Sequence, residues 1–352
     1  MGNHFDNLIR KGSTPSVQYI HFDGSTVIQH QCLGFAKIRE SEPVNASHVY
    51  HGFSVTKTFT ALAVMQLAAK GSLQLDAPAS SYLTEFPYGD DITIRHLLNH
   101  TAGIPSPIPI SWIHLRGEHG EFSSKEFFQK VFAKHPKTKF LPGTKFEYSN
   151  TGYVLLGWII EAVSGVSFEA YIQKQILEKL SLLPGELGFA MPEPSLMARG
   201  YHKRYSITGM LLGFLMDKNK FMSAPEGSWK PFRDFYVNGS PYGGLFGTAQ
   251  GFMKYIQALL RNDGSLLPPD AMKQLFTENH TTAGKPTGMC LSWFKGAVRG
   301  HTYYCHAGGG GGYYSEIRLY PESSKGSVVF LNRSGMTDER LLDALDGGLD
   351  YV

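Results

Sequence analysis

From Ser54 to Lys70 the chain reads SVTKTFTALAVMQLAAK, and this stretch constrains the fold more than any other. Phe59, Leu62, Val64, Met65 and Leu67 recur at helical spacing, Ala61, Ala63, Ala68 and Ala69 lie between them, and Gly71 supplies a stop. The pattern predicts a buried helix beginning at Ser54, so the rest of the chain must build a core around it. A chain of 352 residues, 42% hydrophobic and 18% charged, has the means to do so.

Strand patterns stand at both ends. Residues 16–37 alternate apolar and polar around Asp23-Gly24, which predicts a hairpin. Short helical patterns follow at 94–99, 124–133, 152–163 and 167–177, separated by loops rich in Pro and Gly. Beyond Gly243-Gly244 come a helix at 250–261, β-rich runs at 289–297, 312–320 and 326–332, and a closing helix at 337–346. The expected class is α/β (α+β). An antiparallel sheet flanked by helices forms one lobe from residues 1–72 and 241–352, and residues 73–240 form an inserted, mainly helical lobe, with the site in the cleft between.

Charge narrows the partner. Lys and Arg total 33 against 30 Asp and Glu, with no block of one sign, which points away from nucleic acid or an anionic membrane and toward a small molecule or peptide as substrate. Cys32, Cys290 and Cys305 show no paired spacing, which argues against a disulfide framework or a zinc site; no metal or organic cofactor is implied. The opening MGNHFDNLIR lacks the apolar run of a secretory signal, and Met210 to Met216 is too short to span a bilayer. A cytoplasmic protein without a membrane span is expected, and a homo-oligomer is compatible with the sequence.

Three segments carry chemistry. Ser54-Val55-Thr56-Lys57 is an S-x-x-K at a helix start, a spacing that puts both side chains on one face with Cβ atoms about 5–6 Å apart. A lysine that loses its charge by burial is able to take the serine proton. Such a tetrapeptide arises by chance about once in a chain this long, and a capping Ser followed by a solvated Lys is the plain alternative. Tyr148-Ser149-Asn150 precedes a helix. There Tyr148 is either a proton relay or a core aromatic, and Asn150 either a substrate donor or the helix cap. His306-Ala307-Gly308 ends a β-rich run and opens the glycine stretch Gly308 to Gly312. A substrate can lie along such a backbone and receive its N–H groups, or the stretch is a flexible loop beside a surface His.

In order and separation the three segments resemble the S-x-x-K, Y-x-N and (K/H)-x-G boxes of the penicillin-binding-protein and class C β-lactamase superfamily. Residues 71–76 (GSLQLD), 94–104 (IRHLLNHTAGI) and Gly243-Gly244-Leu245 also look like segments of that family, so the resemblance covers about residues 45–335. It implies a β-lactamase/transpeptidase-like fold. It implies further that Ser54 is the acylated nucleophile, Lys57 its base, Tyr148 the proton shuttle and Asn150 a substrate-orienting donor, with the N–H groups of Ser54 and Gly309 as oxyanion hole.

His306 stands where the lactamases usually carry lysine, so substrate carboxylates should be held less firmly. No lactamase-type deacylating glutamate is seen, which disfavours class A penicillinase activity. The apolar segments 104–113, with Trp112 as a pocket wall, and 205–216 suit acyl or aryl groups, or else pack between the lobes or form a dimer contact. These features favour a carboxylesterase similar to the family VIII esterases, with weak β-lactamase activity. The alternatives are a D-amino-acid-specific peptidase and a catalytically idle scaffold.

Overall fold

The alternation around Asp23-Gly24 folds into strands β1 (Ser16–Asp23) and β2 (Val27–Lys37), which pair antiparallel from Ser16↔Gly34 to Phe22↔Val27. With β3 (Glu42–Pro43), β4 (Phe294–Val298), β5 (His301–Gly310), β6 (Tyr313–Tyr320) and β7 (Lys325–Leu331) they form one antiparallel sheet in the order β4-β5-β6-β7-β1-β2-β3. The two ends of the chain meet inside it, where Val17 pairs with Leu331 and Asp23 with Lys325. The computed structural model describes residues 2–206, 215–334 and 340–348.

Helices cover both faces. Helix α1 (Gly2–Arg10) was not anticipated from the sequence. The others named here are α2 (Thr56–Ala69), α3 (Ile94–Leu98), α4 (Ser124–Lys134), α5 (Asn150–Ser164), α6 (Phe168–Gln175), α7 (Ala249–Arg261) and α8 (Leu341–Asp346). On one face Phe59 and Leu62 of α2, Leu155 and Ile159 of α5, and Phe252 and Ile256 of α7 join Ile317 and Phe330 of the sheet in the main core. Every residue of α2 from Thr56 to Leu67 is buried, as the unbroken Ala and Leu pattern requires. Each large side chain there stabilises the fold by roughly 1.5–3 kcal/mol. On the other face Phe5 of α1 and Leu341 and Leu345 of α8 pack on Val17, Tyr19 and Val329.

Two boundaries differ from expectation, and two alternatives left open by the sequence are decided. A 3₁₀ turn, Phe53–Val55, precedes α2, so Ser54 sits in the turn before the helix and not at its cap. Residues 289–293 are not strand, because Ser292 takes a φ of 73° and the Cys290 N–H closes a tight turn onto the Trp293 carbonyl. The run Gly308 to Gly310 is strand and not loop, since its backbone pairs with Tyr313 to Ser315 of β6. Helix α5 is capped by Ser149, whose hydroxyl accepts from the Gly152 N–H, and Asn150 is its first residue. Of the apolar segment 205–216, residues 207–214 lie outside the described residues, as do 335–339 of the expected closing helix. No single helix among the described residues is long and apolar enough to cross a membrane.

Candidate active site

Ser54 is presented by a strained turn. The residue before it, Phe53, has a φ of 44°, a left-handed conformation that costs a non-glycine residue of order 1 kcal/mol. Its ring stacks on His51, centroids 5.1 Å apart, and lies among Phe235 and Tyr313, which hold the turn in place. Across from it runs the far half of β5. Strand β4 pairs with β5 only as far as Phe294↔Cys305, so His306 to Gly310 have a bare edge that faces the Ser54 turn. A Cβ on Gly308 would sit 2.4 Å from the Gly52 carbonyl oxygen and 2.7 Å from the Ser54 nitrogen, so only glycine permits this approach. Gly309, the next residue, is exposed.

Lys57 lies one helical turn on from Ser54, its Nζ 3.0 Å from Ser54 Oγ, and it donates to the Tyr242 carbonyl at 2.9 Å. It is wholly buried and forms no ion pair among the described residues. Desolvation therefore drives its ammonium well below the ordinary lysine range. Three aromatic rings enclose the amine, with Tyr148, Tyr242 and Tyr153 centroids at 4.9, 5.3 and 5.6 Å. Burial thus favours the neutral amine, the form that has a lone pair to offer the serine hydroxyl.

Tyr148 and Asn150 arrive from the N-terminal end of α5. The Asn150 N–H donates to Ser106 Oγ and Thr151 Oγ1 donates to the Pro105 carbonyl, so segment 104–113 is laced to this end of the helix. The Asn150 side-chain amide makes no hydrogen bond among the described residues. His100, itself at a φ of 59°, stacks on Tyr148 at 4.4 Å and accepts at Nδ1 from the Ser149 N–H.

His306 is fully buried, not on the surface. Its ring lies 6.2 Å from that of Tyr148, and Nδ1 donates to the Ala307 carbonyl, leaving Nε2 as a bare acceptor. Burial, then the neighbouring Lys57, push its pKa down to about 3, against the smaller upward pull of that hydrogen bond. The partly charged imidazole expected from the sequence is thus a neutral one. Trp112 is 5% exposed and packs edge-on against Phe127, Phe128 and Tyr242; it is core behind Tyr242 and not a lining wall.

Ser54, Lys57, Tyr148, Asn150, His306, Gly308 and Gly309 therefore converge from distant parts of the chain. Sequence reasoning missed Tyr242, whose carbonyl anchors Lys57, and Ser315, whose hydroxyl donates to the Gly52 carbonyl at 2.7 Å. Tyr242 adjoins the segment Gly243-Gly244-Leu245, which was a usable signal; nothing local distinguishes Ser315.

Comparison with known proteins identifies the family and the fold. Penicillin-binding protein 4* of Bacillus subtilis is 24% identical over 323 residues, 90% of this chain and 68% of that protein. Protein flp of Staphylococcus aureus is 26% identical over 349 residues, 96% of this chain and 64% of that protein. The chain thus spans about two-thirds of the length of these curated relatives. Among solved structures, an octameric penicillin-binding protein homologue from Pyrococcus abyssi superposes with a TM-score of 0.77 at 26% identity, covering 98% of this chain and 76% of that one. D-amino acid amidase from Ochrobactrum anthropi shares the fold at a TM-score of 0.77 and 19% identity, covering 97% and 94%. Residues 3–348 match the family described as Beta-lactamase, and the chain belongs to that family of serine hydrolases.

Proposed function

We propose that the chain hydrolyses carboxylic esters through an acyl-enzyme on Ser54. The observation that carries this reading is Lys57, buried with its ammonium disfavoured by desolvation and 3.0 Å from Ser54 Oγ. In this scheme Lys57 takes the Ser54 proton as Oγ attacks the carbonyl carbon. The backbone N–H groups of Ser54 and Gly309 receive the oxyanion, each donor contributing a few kcal/mol to the transition state. Tyr148 passes the proton to the leaving oxygen and then draws a proton from the water that releases the acyl group. Asn150, with its amide free, orients the substrate. The site lies where the part built from residues 1–72 and 241–352 meets the part built from 73–240.

Neutral His306 favours esters over carboxylate-bearing lactams, because the third box offers no cation. Ile108, 73% exposed on the segment laced to α5, and Leu141, 71% exposed, add apolar surface for an acyl or aryl group. A second reading rests on the bare edge of β5, which suits an extended peptide backbone: an amidase or peptidase for D-amino acids, the chemistry named for the Ochrobactrum structure. The octameric Pyrococcus homologue supports a homo-oligomeric state.

The test is intact-mass and turnover analysis with short-chain p-nitrophenyl esters, nitrocefin and D-alanyl peptides. Esters are expected to acylate Ser54 and turn over with the highest kcat/KM. A higher kcat/KM for D-alanyl peptides than for every ester installs the second reading, and no acylation by any member of the panel overturns both.

A further inference from the structure

Strand β2 has an open outer edge. β1 pairs it along one side from Ser16↔Gly34 to Phe22↔Val27, whereas on the other side β3 reaches only Phe35 and Lys37. The Phe35 N–H donates inward to the Pro15 carbonyl, and the Gly34 carbonyl accepts outward from the Val44 N–H. In an antiparallel strand the N–H and C=O of one residue point to the same side and alternate along the chain. The groups of Leu33, Gln31 and Gln29 therefore face β1, while those of Cys32 and His30 face outward, and Ile28 lies at the bulge where the register shifts. Among the described residues no backbone group fills these outward positions.

The edge is unguarded. From Gly24 to Ala36 there is no charged residue, in a chain that is 18% charged, and Val27 and Ile28 are 46% and 52% exposed. Sheet edges left to solvent are ordinarily protected by charge, proline or a covering loop. Here the edge is also self-complementary about His30, with Gln29 and Gln31 beside it, then Ile28 and Cys32, then Val27 and Leu33. A second copy laid antiparallel about a two-fold axis at His30 sets amide against amide and apolar against apolar. The axis falls on a residue whose N–H and C=O point outward, so the central pair exchanges two hydrogen bonds in register. The hairpin turn bounds the stretch at one end and β3 at the other, so each copy offers an edge of the same length.

We propose that this chain dimerises through β2, edge to edge, so that one sheet runs through both copies. The proposal goes beyond the hydrolytic reading and does not depend on it, since three strands separate β2 from β5 in the sheet order. An edge of this length buries less than the ~800 Å² per partner of a standard interface, so association is concentration-dependent over about 1–100 µM.

Sedimentation velocity across that range tests it, using the parent, His30→Lys, His30→Glu and an equimolar mixture of the two variants, with far-UV circular dichroism confirming the fold of each. His30 is exposed, and across the two-fold axis each variant faces its own charge. The parent is expected to dimerise, each variant alone to associate at least about tenfold more weakly, and the mixture to recover a heterodimer. A parent that stays monomeric throughout, variants that associate as the parent does, or a mixture that fails to pair each overturns the proposal.

Discussion

The hydroxyl of Ser315, on β6, reaches past Gly308 to donate to the carbonyl of Gly52, two residues before Ser54, at 2.7 Å. It also lies 3.3 Å from the Gly308 carbonyl, so a single buried side chain ties the Ser54 turn to the glycine strand facing it. The separation of the two proposed oxyanion donors depends on this tie. Ser315→Ala is expected to lower kcat about tenfold with KM within about twofold, because a misplaced donor affects the transition state more than the bound substrate. The Gly52 carbonyl keeps the Val55 N–H as a donor at 3.1 Å, so the loss of stability should be only that of one hydrogen bond, about 0.5–1.5 kcal/mol. Steady-state kinetics decide the matter: a loss confined to KM would assign Ser315 to substrate binding.

Ser54→Ala is expected to abolish both ester hydrolysis and labelling by a serine-directed phosphonate. The fold should survive, since Ser54 lies in a turn and its backbone, not its hydroxyl, shapes the site. Labelling of the variant at the parental rate would place the nucleophile elsewhere.

Lys57 and Tyr148 should behave as one proton-transfer unit, their contact being 4.9 Å from amine to ring centroid. Lys57→Ala and Tyr148→Phe are each expected to cost about as much kcat/KM as the double variant, because residues acting together are strongly non-additive. The rising limb of the pH profile then belongs to the pair. Losses that multiply in the double variant would show independent action and leave Tyr148 as a packing aromatic.

Burial of Lys57 has a cost to folding with a definite pH signature. Its folded pKa lies well below the ordinary 10.5, so between those two values the unfolded chain holds a proton that the folded chain lacks, and stability rises with pH across that window. Lys57→Met should therefore be inactive yet more stable than the parent at pH 7, even after losing its hydrogen bond to Tyr242, worth about 1 kcal/mol. The advantage should shrink toward pH 10.5. Denaturant melts from pH 6 to 10 measure this, and a variant less stable than the parent at pH 7 would contradict it.

His306→Lys should move preference toward substrates with a carboxylate, raising the nitrocefin to p-nitrophenyl ester ratio of kcat/KM by about tenfold. An unchanged ratio would mean that the third box does not meet the substrate carboxylate.

Much of this was legible in the chain itself, where local pattern and local structure coincide. The helix behind Ser54, the hairpin at Asp23-Gly24 and the return of the chain to strands near its end all follow from periodicity and turn chemistry. What escaped the sequence depends on distant partners. Gly308 to Gly310 have poor strand propensity and are strand only because Tyr313 to Ser315 pair with them. The charge of His306 is decided by burial, which no tripeptide around it reveals. Tyr242 contributes a main-chain oxygen, and any residue has one; its position 185 residues from Lys57 is a property of the fold. Helix α1, by contrast, was legible: Phe5, Leu8 and Ile9 stand at the i, i+3, i+4 spacing of an amphipathic helix, and only its nine-residue length and terminal position made the signal easy to pass over.

The five residues by which β5 outlasts β4 bear on how this protein can change over evolutionary time. On the proposed reading they offer a ligand peptide N–H and C=O, groups that every residue but proline supplies in full. Gly308 is locked as glycine, since an added Cβ would lie 2.4 Å from the Gly52 carbonyl oxygen and 2.7 Å from the Ser54 nitrogen. On that same reading, variation in substrate range falls to side chains outside β5, while the strand keeps its main-chain character.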